Sequence, residues 1–477
     1  MTHTTMPGAV LSGGFRGDQI HPHDADYDVA RAIYNGSIDR RPAVILRPLC
    51  SADVIDAVNY ARAADLPLSV RCGGHGVAGT SVLDGGVLID LSGLRGVHVD
   101  PSRGTALTQG GCLWGEYDRE TDLFGMATPG GRVTTTGVGG FTLGGGYGWL
   151  SPLHGLTCDN LVGADLVTAD GRLVHVSEQE QPELLWGLRG AGANFGVVTS
   201  YELRVHPVPP QILAGLLVVP NTGEQADLVR AWREYVEAAP EEVMSAVACV
   251  LAPPEPFVPP ELVGTPVIGF LAGYAGDVPT GEEVLAPLRR LVADAQGMDL
   301  VQPMPYPVFQ ASLDGFAPRG WLNYHRGLHL RELSDAIIGP FLAVGRAIGS
   351  PMDQAIIFHH GGAVSRVPEH ATAAGNRAAT YMAHPIACWD SPDKTPAEMD
   401  WVRRFTAAMS PAATGGTYLN FEPSTTDVKS GYSQQKLERL VALKNEWDPG
   451  NLFRSNHNIP PTGWQPPPAR VPRQARP

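Results

Sequence analysis

Apolar and polar positions along this chain follow two periods, and the places where one gives way to the other mark its organisation. Across the first two hundred residues, short runs of period 2 are interleaved with helical stretches. Val54, Ile55, Val58 and Ala61 recur three and four apart and form one apolar face, with Ser51 as N-cap and Asp53 in the first turn. That helix is expected to stop near Asp65-Leu-Pro67. The β-rich run Leu68-Ser-Val70 follows and opens directly into a glycine-rich loop. Residues 87–91 and 97–99 alternate as strands, and 197–203 read as another. A second αβ unit is expected around 161–167, the turn Ala169-Asp-Gly171 and 173–176.

The texture changes after Val208-Pro209-Pro210, where segments lengthen and proline becomes more frequent. The spacing predicts amphipathic helices over 225–238, 282–295, 330–348 and 396–409. Strand-like runs lie between them at 212–219, 267–275 and 354–358. Helices covering one face of an antiparallel sheet fit this pattern. A further helix, with Leu437, Leu440 and Val441 on one side, leads into Trp447-Asp-Pro-Gly-Asn-Leu-Phe-Arg454. Residues 1–14 read as a flexible N-terminus. Residues 461–477, with Pro466-Pro-Pro468 and three arginines, read as a disordered tail.

Composition narrows the class. At 477 residues the chain exceeds what one core usually organises, so two domains are the default. With 43% hydrophobic and 18% charged residues it has a globular composition, and no apolar run is long enough to span a bilayer. A formal net charge of −14 repels polyanions, which argues against nucleic acid or an anionic membrane as partner. The first residues lack a secretory signal pattern, so a bacterial cytoplasmic location is expected and the sequon Asn35-Gly-Ser37 is without consequence. The six cysteines form no Cys-x-x-Cys pair and no zinc spacing, so they read as isolated buried thiols and no metal site is expected.

The chemistry-bearing feature is a pair of glycine-rich stretches about sixty residues apart. One is Arg71-Cys72-Gly73-Gly74-His75-Gly76. The other runs from Gly130-Gly131 through Gly137, Gly139 and Gly140 to Gly144-Gly145-Gly146 and Gly148. Glycine lets main-chain N–H groups approach a ligand closely, which is how a diphosphate is cradled. The usual dinucleotide fingerprint fails: Gly137-Val-Gly139-Gly140-Phe-Thr142 has Thr at the third glycine. Gly190-Ala-Gly192-Ala-Asn-Phe-Gly196 is one residue too long and leads into a strand. No Gly-x-x-x-x-Gly-Lys-Ser/Thr occurs. A diphosphate held by loop amides remains.

These stretches resemble the FAD-linked oxidases of the vanillyl-alcohol oxidase superfamily. The similarity is to the berberine-bridge-enzyme-like branch, at its bacterial, 6-hydroxy-D-nicotine-oxidase-like end. It is carried by Arg71-Cys-Gly-Gly-His75, Ile89-Asp-Leu-Ser92, Ala127-Thr-Pro-Gly-Gly131, Gly137-Val-Gly-Gly140 and Leu143-Gly-Gly-Gly-Tyr-Gly148. Further matches are Gly155-Leu-Thr-Cys-Asp-Asn160, Leu185-Trp-Gly-Leu-Arg-Gly190, Asn194-Phe-Gly-Val-Val198, the 447–454 block and Asn456-His-Asn-Ile459. It is strong from about residue 20 to 208 and from about 415 to 460, and diffuse between. It implies an α+β, two-domain vanillyl-alcohol-oxidase-type fold. The FAD-binding domain would comprise 15–208 and 416–460, with two α/β subdomains, and a substrate domain of antiparallel sheet covered by helices would be inserted at 209–415.

The resemblance also implies roles. Arg71–Gly79, with Gly73, Gly74 and Gly76, forms one diphosphate wall, and Gly130–Gly140, with Gly131, Thr135, Thr136, Gly137 and Gly139, the other. Gly196 and Val198 lie at the adenine end. His75 bonds covalently to the flavin 8-methyl group. Relatives with a second, cysteinyl bond carry a cysteine where this chain has Val133, so a single link is expected. Tyr418 and Asn420 fall near the flavin as catalytic candidates, and Asn456 and Asn458 fall beside it. Some relatives place a carboxylate base where this chain has Met382, so His384 or Tyr381 is expected to substitute, with Tyr324-His325 and His359-His360 as further pocket candidates. Leu161 falls where a small residue tunes oxygen access.

The expected activity is oxidation of a small alcohol, amine or secondary metabolite by hydride transfer to flavin N5, with dioxygen as acceptor giving hydrogen peroxide, in a monomer or homodimer. The rivals are a dehydrogenase using another acceptor and a non-catalytic FAD-binding protein.

Overall fold

The computed structural model describes residues 11–425 and 428–466, and most of the two expected flexible termini lies outside the described residues. Three sheets carry the fold. The first has Asp18–Ile20, Val44–Arg47, Val87–Asp90 and Leu68–Arg71 side by side, the last three parallel. Helix Ser51–Ala63 packs its Val54, Ala57, Val58 and Ala61 face onto Val44, Leu46, Val87 and Ile89. The helix ends where expected, with Asp65 at φ 49°. Its start corrects one expectation: Cys50 holds the N-cap position, and the Ser51 hydroxyl donates to Thr199 instead. Asp53, in the first turn, ties the preceding chain to the helix by accepting from the Leu49 and Arg16 amides.

The second sheet is antiparallel throughout, in the order Val97–Asp100, Thr105–Gln109, Val197–Arg204, Leu161–Val167 and Leu173–Ser177. The expected second αβ unit is therefore a hairpin, closed by the turn at Gly171 (φ 81°). Helices Trp114–Asp122, Pro182–Leu188 and Gln434–Trp447 share its core.

The third sheet is the large one, antiparallel, with Ile212–Pro220, Pro266–Tyr274, Val243–Leu251, Gln354–His359 and Tyr381–Trp389 at its centre. Period-2 alternation sends Leu213, Val247, Ile357 and Ala383 towards helices Ala226–Ala238, Val278–Asp294, Asp335–Arg346 and Thr395–Met409. Ile212, Ala246, Ile356 and Phe358 face the other way, onto Trp149, Leu150 and Ala127. The helix expected from residue 330 begins only at Asp335, because Leu328–Leu330 pairs as a strand with both Tyr381–Trp389 and Ala413–Thr417.

Candidate active site

The glycine loop that leaves strand Leu68–Arg71 and the one that follows Met126–Ala127 pack directly against each other. A Cβ on Gly137 would stand 2.5 Å from the Gly73 nitrogen, and one on Gly73 would stand 2.6 Å from the Thr135 carbonyl oxygen. Neither position tolerates a side chain, because the obstructing atoms are backbone. Gly76, Gly140 and Gly192 differ: a Cβ there meets nothing within 4 Å. These three face a channel that runs between the loops and the large sheet, lined by main chain on one side and by His325, Gln354, Phe358, His384 and Ile386 on the other.

His75 is half-buried on the channel wall. Its Nε2 lies 2.8 Å from the Thr135 hydroxyl, and its ring stacks on Tyr34 at 4.0 Å. Burial, with the nearby Arg319 and His325, pushes its pKa down to about 3, so the imidazole is neutral at neutral pH. The segment carrying Tyr34 ties this loop to the large sheet. The Tyr34 amide donates to the Gly74 carbonyl, and Asn35 Nδ2 donates to the Asn323 carbonyl. The sequon asparagine is thus a buried strut. Nothing in the sequence around Tyr34 advertised it.

Cys72, Gly73, Gly74, Gly76, Gly131, Thr136, Gly137, Gly139, Gly140, Gly196, Val198, Asn420, Asn456 and His384 all line the channel, as does Val133. Other expected residues stand back from it. Arg71 is buried behind its loop, donating to Asp90 at 2.8 Å and to the Ala32 carbonyl, beside a second cavity that Thr135 also lines. Gly79 is a positive-φ turn whose carbonyl accepts from Arg40. Gly130 is fixed by packing: a Cβ would reach 2.7 Å from Trp114 and from Gln310. Leu161 lies in the second core, and Asn458 does not reach the lining.

Tyr381 requires a correction. It is three residues from His384 on one strand, so the two face opposite sides of the sheet. The Tyr381 hydroxyl donates to Glu237 at 2.7 Å among the covering helices, whereas His384 stacks on Phe421 at 3.7 Å beside the channel. The same alternation splits the other pairs. His325 lines the channel while Tyr324 packs on the helix side; His360 stacks on Tyr147 while His359 approaches Tyr381. Among the described residues no cluster of three metal-ligating side chains exists.

Tyr418 sits one layer behind the lining. Its oxygen accepts from the Gly146 amide at 3.1 Å and from Asn420 Nδ2 at 2.8 Å, and burial pushes its pKa up to about 12. Asn420 also donates to the Phe141 carbonyl and so faces the channel in a fixed orientation.

The 447–454 block supplies the last wall by structural means. Lys444 and Asp448 are fully buried and 2.8 Å apart. Lys444 also donates to the Asn194 and Phe453 carbonyls, and Asp448 accepts from the Leu452 and Phe453 amides. This knot, with Asn451 at φ 52°, turns the chain so that Asn456 and His457 reach the channel. Of the six thiols, Cys50 is exposed and Cys72 half-buried, against the expectation that all are buried.

Such a fold, with two interlocked glycine loops against a side-chain-lined sheet, defines a flavin-nucleotide site: main chain able to approach a diphosphate closely, and an elongated channel beside a neutral histidine. The residues present fit FAD on those grounds. Comparison with known proteins agrees. Residues 42–177 match the family model described as FAD binding domain, and 417–460 match the one described as berberine and berberine like.

The chain is 30% identical over 458 residues to (R)-6-hydroxynicotine oxidase of Paenarthrobacter nicotinovorans, covering 94% of this chain and 97% of that one. It is also 30% identical to an FAD-linked oxidoreductase of Dictyostelium discoideum, over 90% of this chain and 91% of that one. The crystal structure of 6-hydroxy-D-nicotine oxidase from Arthrobacter nicotinovorans superposes with a TM-score of 0.82 at 28% identity, covering 96% and 99% of the two chains. A berberine-bridge-enzyme-like protein of Physcomitrella patens shares the fold, with a TM-score of 0.82 at 21% identity over 92% and 95%. The chain belongs to the berberine-bridge-enzyme-like family of FAD-dependent oxidoreductases.

Among the described residues no helix is long and apolar enough to cross a membrane.

Proposed function

We propose that this protein is an oxidase of a small organic alcohol or amine, with FAD attached covalently through His75 alone and dioxygen as the electron acceptor. The observation that carries the reading is the neutral imidazole of His75 on the wall of a glycine-cradled channel. When bound, FAD accepts a hydride at N5 and returns the electron pair to dioxygen, giving hydrogen peroxide.

The chain's own residues divide the remaining work. Residues 15–208 and 416–460 serve as the cofactor part and 209–415 as the substrate part. The amides of 73–76 and 137–140 hold the diphosphate. In the tautomer in which His75 Nε2–H donates to Thr135, Nδ1 keeps the lone pair needed for attachment. His75 would thus hold the flavin through a bond that replaces one hydrogen of its 8-methyl group, the proton and electron pair so released going to solvent and to dioxygen. Val133 offers no thiolate, so no second bond forms.

The proton of the substrate O–H or N–H goes to His384, which lines the channel and whose Nε2 has no partner among the described residues; burial lowers its pKa, so it takes the proton only as the substrate is oxidised. Tyr418 holds its own proton and acts as a positioning residue that fixes Asn420.

The test is denaturation of purified protein in acid. Flavin is expected to stay with the polypeptide and to be released from His75→Ala, with peroxide formed during turnover under air. Release of flavin from the unmutated protein rejects attachment. Turnover that consumes an artificial acceptor but no dioxygen makes the protein a dehydrogenase.

A further inference from the structure

Arg132 is the residue in the channel that the reading above leaves unused. It follows Gly131 in the second glycine loop, is 9% exposed and lines the channel. Its guanidinium lies over Phe358 of the large sheet at 3.9 Å and over Trp149, in the segment after the second glycine stretch, at 4.7 Å. Both of its hydrogen bonds use Nη2, donating to the Gly148 carbonyl at 3.2 Å and to the neutral His360 Nε2 at 3.3 Å. Its Nε has no partner. No carboxylate among the described residues pairs with it, although other strongly buried cations of this chain, such as Arg71, Arg377 and Lys444, each have one.

A buried guanidinium costs several kcal/mol of desolvation unless an anion compensates it, and arginine at neutral pH stays charged. Burial lowers its pKa only to about 9. The neighbours do not supply the missing charge. His360 and His329 are kept neutral by burial, His329 at about 4, and Tyr147 holds its proton. Polar atoms of the residues around it also have no partner among the described residues: His360 Nδ1, Trp149 Nε1, which can only donate, and the Oη of Tyr147, whose ring stacks on His360. The place is rich in donors and lacks an acceptor and a negative charge.

We propose that the substrate of this protein carries a carboxylate on an apolar, aromatic body, and that Arg132 receives that carboxylate. The inference rests on the channel being the substrate site, and the body of such a ligand fits the Phe358, Ile386 and Phe421 lining. A guanidinium fork matches a carboxylate in geometry as well as charge, and the surrounding rings keep water from screening the pair.

The test compares acids with their uncharged amides on the purified holoprotein: benzoate against benzamide, and indole-3-acetate against indole-3-acetamide. Binding is read both by perturbation of the flavin absorbance and by calorimetry. The expected result is at least a tenfold preference for one acid over its amide. That preference falls to within twofold in Arg132→Met and is partly kept in Arg132→Lys, with flavin content unchanged. Equal binding of acid and amide in every pair overturns the proposal. So does a preference that survives in Arg132→Met, since the charge then acts elsewhere, for example on the cofactor. Should Arg132→Met fail to fold, the unmutated pairs and the lysine variant still decide it. A protein purified without flavin fails the oxidase reading, while calorimetry still reports the anion preference, so the two failures are distinct.

Discussion

The two walls of the channel are built from different material. The wall at 72–81 and 131–140 is largely main chain, with the His75 and Arg132 side chains set into it, and its shape is fixed by what cannot be present: side chains at Gly73 and Gly137 would collide with backbone. The opposite wall is side chain, with His325, Gln354, Phe358, His384 and Ile386 projecting from a pleated sheet. The sheet's backbone is indifferent to which residues project, so this wall can be rewritten without disturbing the fold. A wall of main chain is constrained in sequence, whereas a wall of projecting side chains is constrained only in alternation. That difference explains why one is a motif and the other is not.

The sharpest way to break the main-chain wall is from behind, at the buried knot that aims its C-terminal part. Lys444→Met leaves Asp448 charged, buried and unpaired, and removes donors to the Asn194 and Phe453 carbonyls. A loss of about 3–5 kcal/mol is expected. Urea unfolding measures it, and a variant within 1 kcal/mol of the parent (roughly the value of an exposed pair) would show the pair to be dispensable.

Next in size is Gly137→Ala, which places a methyl group 2.5 Å from the Gly73 nitrogen and against Cys72. Separating the loops is expected to cost about 1–3 kcal/mol or more and to lower flavin content on purification. Full flavin content with an unchanged melting temperature would mean that the loops are not interlocked as described.

The acid side probes the large sheet. Burial holds His325 and His329 at a pKa of about 4, below their ordinary 6.5. The folded protein therefore keeps them neutral while the unfolded chain takes up protons as pH falls below 6.5. Their contribution to stability is complete above pH 6.5 and is lost progressively down to about pH 4. One such group changes stability by up to about 1.4 kcal/mol per pH unit in that window. In His325→Gln the fall between pH 6.5 and 5 should be correspondingly shallower; an identical slope in the two proteins would mean that His325 protonates freely in the folded state.

Legibility in the sequence follows the same division. The glycine loops, His75 and the Asp448 turn were readable because steric and hydrogen-bond demands leave few residue choices there. The strand 161–167 and the helices near 226–238 and 395–409 were readable from period alone. Tyr34 was not, because its importance lies in a stack with His75 and in amide contacts forty residues away. Arg132 sits inside the motif yet is not legible there, since only burial without a counter-charge distinguishes it from a surface arginine. Arg71 was misplaced because a motif position says nothing about which side of its loop the side chain leaves.

The smallest effect is the most direct probe of alternation on the sheet wall, because it uses two residues of one strand. Tyr381→Phe deletes the hydroxyl that donates to Glu237 on the helix side. It should cost about 1 kcal/mol in thermal unfolding and leave ligand binding unchanged. His384→Gln removes a ring stacked at 3.7 Å on Phe421 beside the channel. Losing that stack should cost about 0.5–1.5 kcal/mol in thermal unfolding, and, because the ring lines the channel, it should also weaken benzamide and benzoate alike. Both variants thus touch stability, and His384→Gln alone touches binding. Should Tyr381→Phe alter ligand affinity as strongly as His384→Gln, the sheet would be transmitting substrate contact through its backbone, and the separation of the two faces would not hold.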